Sequence, residues 1–336
     1  MDSTIKYKHG FTLGKFMPPH KGHEHMILSS LEEVEQLTVL VCTVKREPID
    51  GKSRFDWMKQ IFSGNDRIHL VHVTDEVPSY PEEHPDFESI WTELLKKYIP
   101  ADTSVFVSSE DYGADVARWL KIDHIEIDKN RNLFPVSATA IRQNPFQNWD
   151  FIPDVVKPYF LKRIVLTGPE STGKTFLAEK LAEYFNTSWV PEFGRIHFEN
   201  VGGKLSLNDI SIIAEGQVKL EEETAMTANK ILFCDTDLIV TQIWSEIYFK
   251  QCPEWIIEEN QNRKYDLFLL LDIDIPWVND GTREFPHLRE WHFNRLKQEL
   301  NERKLNYKII SGEFGERFEK AKAEIEKLIS KTNGYE

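Results

Sequence analysis

A ten-residue turn, G-K-F-M-P-P-H-K-G-H over residues 14–23, constrains this chain more than any other stretch. It follows a short apolar run that predicts a first β-strand, and it precedes residues 25–36, whose apolar side chains recur as on one helical face. The turn is therefore predicted to end at a helix N-terminus, where free N–H groups and the positive dipole end favour phosphate. His20 and His23 should lie on the same side of this helix start, with Gly22 leaving room between their rings.

The turn resembles the G-x-F-x-P-x-H-x-G-H signature of the nucleotidyltransferase family, and every specified position is filled. The resemblance implies that a phosphate oxygen attacks the α-phosphorus of a nucleoside triphosphate while pyrophosphate leaves. It also implies that His20 and His23 donate hydrogen bonds to phosphate oxygens as charge builds there. Two alternatives stay open: a loop with surface histidines, or a zinc site that includes His25, although no Cys or carboxylate lies at the usual zinc spacing.

Length and charge narrow the class of protein. At 336 residues the chain exceeds one typical domain, which predicts two. A formal net charge of −14 disfavours a general nucleic-acid-binding protein, which normally carries a basic face. The three cysteines show no C-x-x-C spacing, and no apolar run is long enough to span a bilayer. We therefore expect a soluble cytoplasmic protein whose partners are small molecules rather than nucleic acid or membrane; a homo-oligomer is left open.

The first half alternates strand-like and helix-like patterns. Strands are predicted at residues 37–44, 68–73, 103–107 and 124–127, and helices at 55–62, 87–98 and 114–120. This alternation predicts an α/β fold with an open, Rossmann-like parallel sheet that binds ligands outside the carboxyl ends of its strands. Residues 143–158 contain three prolines and no clear period, so we expect a nucleotidyltransferase domain over 1–152 and a second domain over 153–336.

A second motif, V-S-A-T-A-I-R over residues 136–142, resembles the I-S-x-T-x-I-R motif of the same family, with Val136 in place of Ile. Ser137 and Thr139 are candidate phosphate donors at another helix start, although simple helix capping is an alternative role for Ser137. Arg142 offers a planar guanidinium for the β- and γ-phosphates. The predicted ATP site of the first domain comprises Gly14, Lys15, Phe16, His20, His23, Ser137, Thr139 and Arg142.

The polar loop over residues 45–54 follows the second predicted strand and contains four cations. We expect it at the carboxyl edge of the sheet, where it would hold the phosphate of the second substrate. Arg46 is the preferred candidate for that contact. A solvated loop is the alternative.

A new apolar run leads into G-P-E-S-T-G-K-T at residues 168–175, the phosphate-binding loop pattern between a strand and a helix. Lys174 is expected to meet the β- and γ-phosphates of ATP, and Thr175 to hold Mg²⁺. Residues 231–237 resemble a Walker-B strand that ends in Asp235 and Asp237, either of which would orient Mg²⁺. The predicted ATP site of this P-loop domain comprises Gly168, Glu170, Ser171, Thr172, Gly173, Lys174, Thr175 and Arg283.

Two further features suit a small-molecule kinase. Glu192 should follow the second strand of this domain, where such kinases place the carboxylate that accepts the proton of the substrate hydroxyl. A surface or helix-capping Glu is the alternative. Residues 274–290 are polar and aromatic and stand where nucleoside kinases carry a mobile lid. From that lid, Arg283 would stabilise the transferring phosphoryl group.

The order of the two motifs, with G-P-E-S-T-G-K-T and the D-T-D at residues 235–237, resembles the NadR family over about residues 9–330. The resemblance implies an adenylyltransferase for nicotinamide mononucleotide (NMN) followed by a ribosylnicotinamide kinase. Together these would convert ribosylnicotinamide to NAD with ATP and Mg²⁺, and Arg46 would hold NMN.

The resemblance also leaves other functions to weigh. Some family members begin with a helix-turn-helix repressor domain; because the first strand here starts near Gly10, we expect none. One alternative is a regulator that senses NAD or ATP without turnover. Another is an adenylyltransferase–kinase for a different phosphorylated metabolite.

Overall fold

The computed structural model describes residues 5–278 and 286–330. The chain forms two compact units, the first ending at Lys157 and the second beginning at Pro158. Each unit contains its own parallel five-stranded sheet flanked by helices, which confirms the predicted α/β class. Neither described range includes a helix with the length and apolar character needed to cross a membrane.

The first unit is built on the strands β1 (Tyr7–Gly14), β2 (Val34–Cys42), β3 (Ile68–Val73), β4 (Thr103–Ser108) and β5 (Asp123–Glu126). Their order in the sheet is β3-β2-β1-β4-β5, and every neighbouring pair is parallel. Phe11 and Phe106 on one face and Val39 and Val107 on the other have no exposed surface. Both faces of the sheet are therefore covered, as expected for a parallel sheet.

The helices that follow these strands are α1 (Lys21–Ser30), α2 (Gly51–Ile61), α3 (Phe87–Tyr98), α4 (Gly113–Leu120) and α5 (Ala138–Gln143), and the one-turn helix α6 (Lys157–Phe160) contains the unit boundary. Side chains cap two of their starts. Asp50 accepts a hydrogen bond from Ser53 N at 2.9 Å, and Ser137 accepts one from Ala140 N at 3.0 Å. These caps fix the directions in which α2 and α5 leave the sheet edge.

The first helix is shorter than its sequence pattern predicted. We expected helix over residues 25–36, whereas α1 ends at Ser30 and β2 already begins at Val34. Val34 is fully buried and pairs with Tyr7 of β1. Val34 fits both the helical and the strand periodicity, so the local sequence does not determine its structure. Its pairing with the neighbouring strand does, and that contact cannot be seen in a local pattern.

The second unit is built on the strands β6 (Lys162–Thr167), β7 (Trp189–Val190), β8 (Ile231–Asp235), β9 (Leu267–Leu271) and β10 (Tyr307–Ile310). Their order is β10-β9-β6-β8-β7, again with all pairs parallel. The strands β8 and β9 are buried along their whole length, which explains why their sequences are continuous apolar runs rather than alternating ones.

The helices of the second unit are α7 (Lys174–Phe185), α8 (Phe193–Asn200), α9 (Leu207–Ala225), α10 (Leu238–Phe249), α11 (Glu254–Asn262), α12 (Arg289–Glu302) and α13 (Phe314–Ser330). Buried side chains of α7 and α13, including Leu181 and Ile325, pack with Phe233 and Leu269 of the sheet. The helices α9, α10 and α11 share a separate apolar cluster centred on Leu238. The second unit therefore has two distinct apolar clusters, one in which helices pack on the sheet and one among helices.

The central strand of each sheet ends at a predicted phosphate-binding turn. In the first unit β1 ends at Gly14, and in the second β6 ends at Thr167, one residue before the P-loop. In the first sheet the chain adds β2 and β3 on one side of β1 and β4 and β5 on the other, and in the second sheet β6 likewise has later strands on both sides. Crevices at such switch points, outside the carboxyl ends of the strands, are where open α/β sheets bind ligands.

The packing of β1 gives a first prediction. A Cβ on Gly10 would lie 2.8 Å from Cγ1 of Val34 and 3.0 Å from Cγ1 of Val105. We expect Gly10→Val to lower the free energy of unfolding by about 1–3 kcal/mol, because the central strand has no room for the side chain. Urea unfolding measures it. Gly315→Ala, where a Cβ meets nothing within 4 Å, is the control and should not destabilise. Equal losses in the two variants would contradict this account of the packing.

Candidate active sites

The histidine turn lies between the end of β1 and the start of α1. His20 is the N-cap residue of α1, and its Nδ1 accepts a hydrogen bond from His23 N at 3.3 Å. The two imidazole rings stack with centroids 3.6 Å apart, and Phe16 meets His23 edge-on at 5.0 Å. A Cβ on Gly22 would lie 3.1 Å from the His20 ring, so any side chain there would press on that ring. The turn thus brings three predicted site residues into contact.

Burial keeps these imidazoles neutral. Burial, helped by the charge of Arg131, lowers the pKa of His20 to about 3. Burial, and then the neighbouring His20 and Arg131, lower the pKa of His23 well below its ordinary value. Because Nδ1 of His20 accepts a backbone hydrogen bond, the proton of its neutral ring lies on Nε2. His20 therefore offers a neutral N–H donor, and Nδ1 of His23 is buried without a partner.

The second motif meets the histidine turn in space. Ser137 is the N-cap of α5 and accepts from Ala140 N, so its capping role is realised. Arg142 donates from one guanidinium nitrogen to Met17 O at 2.5 Å and from the other to Thr139 Oγ1 at 3.2 Å. The bond to Met17 O joins the second motif, near the end of the first unit, to the histidine turn near its start. The structure therefore brings together Arg142, Thr139 and the histidine turn, as a shared triphosphate site requires.

Lys15 and Arg46 lie at the same edge and share one hydroxyl. Lys15 Nζ donates to Ser79 Oγ at 3.2 Å and pairs with Glu47 at 3.1 Å. A guanidinium nitrogen of Arg46 donates to Ser79 Oγ at 3.1 Å and to Glu83 at 2.7 Å. The side chain of Arg46 is 59% exposed, so a substrate phosphate would compete with the Glu83 carboxylate for it.

Arg54 supports the turn and was passed over in favour of Arg46 at the sequence level. It has no exposed surface, and it donates to Lys15 O at 2.8 Å and to Glu47 at 2.6 Å. Arg54 thereby fixes the backbone at Lys15, the residue that directly follows β1. The available signal was its spacing: Arg54 is four residues before the buried Met58, hence on the inner face of α2.

The P-loop of the second unit is held in an open curve. Gly168 has φ +149°, and a Cβ there would lie 2.9 Å from Leu271 O. Gly173 has φ +82°, a conformation that side chains rarely adopt. Lys174 Nζ donates to the carbonyls of Gly168 and Pro169 at 3.0 and 3.1 Å. The lysine thus lies across its own loop, where the phosphates of a nucleotide would be bound.

The structure distinguishes the two carboxylates that follow β8. Asp235 Oδ2 accepts from Thr175 Oγ1 at 2.5 Å, whereas its Oδ1, like Oδ2 of Asp237, is buried and has no partner among the described residues. Asp237 instead caps α10 by accepting from Val240 N at 3.2 Å. Burial raises the pKa of Asp235 to about 6 and that of Asp237 to about 7. Only Asp235 is therefore in contact with the P-loop, and Asp237 has a structural bond.

A cavity of about 630 Å³ opens beside the P-loop. Its wall includes Glu192, which is the N-cap of α8, and the aromatic side chains of Trp244 and Tyr248. It also includes the predicted ATP-site residues Gly168, Glu170, Ser171, Thr172, Gly173, Lys174 and Thr175. Arg283 lies outside the described residues, as does the middle of the predicted lid, residues 279–285. Before that gap, Val278 N donates to Ser171 Oγ at 2.8 Å, so the segment leading to it starts on the P-loop.

Arg317 is the second buried cation that sequence reasoning missed. It is 1% exposed, and its guanidinium donates to Thr172 O in the P-loop at 2.8 Å, to Gly312 O at 2.7 Å and to Asp272 O at 3.1 Å. It also pairs with Asp274. One side chain of α13 therefore fixes the P-loop to the loops after β9 and β10. In the sequence it lies within a highly charged helix, where nothing distinguishes it from a surface arginine.

Comparison with known protein families assigns a different family to each unit. A cytidylyltransferase-like profile matches residues 11–152, and an AAA domain profile matches residues 163–317. Two curated relatives match nearly the whole chain, and both are described as trifunctional NAD biosynthesis/regulator protein NadR. The protein of Escherichia coli (strain K12) is 28% identical and covers 92% of this chain and 80% of its own length. The protein of Salmonella typhimurium (strain LT2) is 29% identical, and the match covers 82% of this chain and 71% of that protein.

Solved structures extend this likeness to the fold of both units. A NadR protein in complex with NR superposes with a TM-score of 0.81 at 23% identity over 98% of both chains. A NadR protein in complex with NAD and AMP-PNP superposes with a TM-score of 0.78 at 22% identity over 96% of both chains. The chain is thus similar to NadR proteins over most of its length. This similarity confirms the resemblance inferred from the motifs, including the order of the nucleotidyltransferase-like and P-loop units.

The burial of His20 and His23 predicts how they titrate. Because burial disfavours the charged imidazolium, their pKa values lie below the ordinary value, so neither ring should gain a proton between pH 8 and pH 5. In an NMR titration their ring resonances should stay constant over that range, with His20→Asn and His23→Asn variants assigning them. A midpoint near 6.5 for either ring would contradict the buried, neutral pair.

Proposed function

We propose that the chain makes NAD from ribosylnicotinamide in two ATP-dependent steps, with residues 1–152 as the NMN adenylyltransferase and residues 153–336 as the ribosylnicotinamide kinase. One observation carries the proposal. Each unit has a predicted phosphate-binding turn at the end of its central strand, and the curated relatives that match most of the chain are described as NAD biosynthesis/regulator proteins. The NadR structures are described as complexes with NR, NAD and AMP-PNP, which are ligands of both steps.

In the first unit an oxygen of the NMN phosphate attacks the α-phosphorus of ATP. The new P–O bond forms as the bond to pyrophosphate breaks, so no covalent intermediate is needed. Neutral N–H groups of His20 and His23 donate to the phosphate oxygens on which charge builds. Arg142 and Lys15 supply the positive charge for the leaving phosphates, since the histidines supply none. Arg46 is our candidate for the phosphate of NMN.

In the second unit the ribosyl hydroxyl attacks the γ-phosphorus of ATP, and ADP leaves. Glu192 lies in the same cavity as the P-loop and is our candidate to accept the hydroxyl proton. Lys174 must exchange its two bonds to loop carbonyls for the β- and γ-phosphates. Main-chain N–H groups of the P-loop would hold the β-phosphate.

The residues at the end of β8 suit Mg²⁺. Thr175 Oγ1 and Asp235 are hard oxygen donors in contact, and Asp235 Oδ1 is a buried oxygen without a partner. Within residues 5–278 and 286–330 no group of three or more His, Cys, Asp or Glu side chains is placed to hold a metal. Water and the nucleotide phosphates would therefore complete the shell. The bound ion would neutralise charge on the β- and γ-phosphates.

The decisive experiment follows the nucleotides by chromatography. Wild type with ribosylnicotinamide and ATP should form NAD, with one ADP and one pyrophosphate for each NAD. His23→Ala should accumulate NMN, because loss of one transition-state donor costs about 10²–10³ in rate. Lys174→Ala should leave ribosylnicotinamide unchanged yet still convert added NMN to NAD. NAD formation by His23→Ala within threefold of wild type would exclude the first site. A wild type that forms no NMN would exclude the second.

The two carboxylates of the D-T-D segment give a matched pair. Asp235→Asn should lower kcat of the kinase at least about 10²-fold, since support of a phosphate-bound ion contributes several kcal/mol. Asp237→Asn keeps an acceptor for Val240 N and should stay within about fivefold of wild type. Steady-state kinase rates compare them, and circular dichroism with thermal unfolding of each variant verifies that the second unit folds. Equal losses would mean that the contact with Thr175 does not mark the metal ligand.

A further inference from the structure

The cavity of the second unit contains polar atoms that no described residue of the protein satisfies. Among the described residues, Gln217 Nε2, Thr236 Oγ1 and His292 Nε2 are buried without a hydrogen-bond partner, and all three side chains line this cavity. The wall around them is largely apolar and includes Ile210 and Ile213 of α9. Leaving a buried donor or acceptor unpaired costs free energy, so a convergence of three such groups indicates a polar ligand.

The orientation of the Gln217 carboxamide follows from its partner. Gln217 is 1% exposed, and its Oε1 accepts from Phe193 N at 2.9 Å. A backbone N–H is only a donor, so the side-chain atom facing it must be the carbonyl oxygen. The NH₂ group is then fixed on the other side of the carboxamide, and it is the group without a partner. The side chain therefore presents a donor whose direction is set by the fold.

The same bond holds the residue next to Glu192. Phe193 is the first residue of α8, and Glu192 is its N-cap. A Cβ on Gly216 would lie 2.2 Å from the Phe193 ring, so that ring lies directly against α9. Gln217 thus fixes the backbone on which the proposed base is mounted, and the glycine before it makes the close approach possible.

We propose that Gln217 is a substrate-binding and positioning residue of the kinase site. Its NH₂ group donates to an oxygen of the nucleoside, either a carbonyl of the base or a ribosyl hydroxyl, while its carbonyl holds the Phe193 backbone and so places Glu192. The proposal rests on the kinase function proposed above. It makes the site selective for nucleosides with that oxygen, because a ligand without it leaves the donor buried and unpaired.

Two substitutions separate the two roles. Gln217→Glu, assayed at pH 8.5, keeps an oxygen for Phe193 N but replaces the NH₂ donor. The KM for ribosylnicotinamide should rise about 5- to 150-fold, as expected for loss of one buried hydrogen bond, with kcat and the KM for ATP within about threefold of wild type. Gln217→Met loses both bonds, so kcat should also fall. Gln261→Met, on the exposed face of α11, is the matched control.

Nucleoside analogues identify the oxygen. For the analogue that lacks the bonded acceptor, either the base carbonyl or one ribosyl hydroxyl, wild type and Gln217→Glu should show the same KM. A merely structural glutamine would shift KM for every analogue by one factor. Circular dichroism and thermal unfolding of each variant serve as the folding control.

Three results would overturn the inference. If wild type phosphorylates ribosylnicotinamide and Gln217→Glu keeps its KM within twofold, the donor does not bind substrate. If the ratio of KM values is identical for all analogues, Gln217 acts on the fold alone. If wild type phosphorylates no nucleoside, the proposed kinase function fails and this inference fails with it.

Discussion

Two buried guanidinium groups hold the phosphate-binding turns of this protein. Arg54 donates to the carbonyl of Lys15 in the first unit, and Arg317 donates to the carbonyl of Thr172 in the second. Each is matched by a carboxylate, Glu47 or Asp274. A buried charge is tolerated only when it is paired and hydrogen-bonded, and removing one partner typically costs about 3–5 kcal/mol. The turns are therefore fixed by contacts that depend on the whole unit and not on the turn sequence alone.

These clamps matter because phosphate transfer is mainly a problem of position and charge. Main-chain N–H groups stabilise a transferring phosphate only if they already point to it when the substrate arrives. A glycine-rich turn has the freedom to place them there and the same freedom to place them elsewhere. In both units an arginine from another helix bonds the backbone of the turn and so restricts it to one conformation. The glycines still allow a ligand to come close to that backbone.

The sequence predicted what is local and missed what depends on tertiary contacts. We could predict the histidine turn and the P-loop because each is a continuous sequence motif, and the parallel strands because each is a continuous apolar run. The choice between Asp235 and Asp237 was not, since both end the same apolar run and only the fold shows that one meets Thr175. Arg54 and Gln217 were missed because their partners lie 39 and 24 residues away along the chain. The end of α1 was misplaced because strand pairing claimed Val34.

The neutral, stacked imidazoles of His20 and His23 have a consequence for the cell that contains the protein. Near neutral pH neither ring takes up a charge, so these two donors do not respond to modest acidification. A phosphate monoester, by contrast, takes up its second proton near pH 6. A loss of adenylyl transfer as the surroundings become more acidic would then originate outside this pair of rings, and the phosphate of the nucleophile is one group that titrates in that range. Acid sensitivity of that origin would be a property of the metabolite and not of the histidine turn.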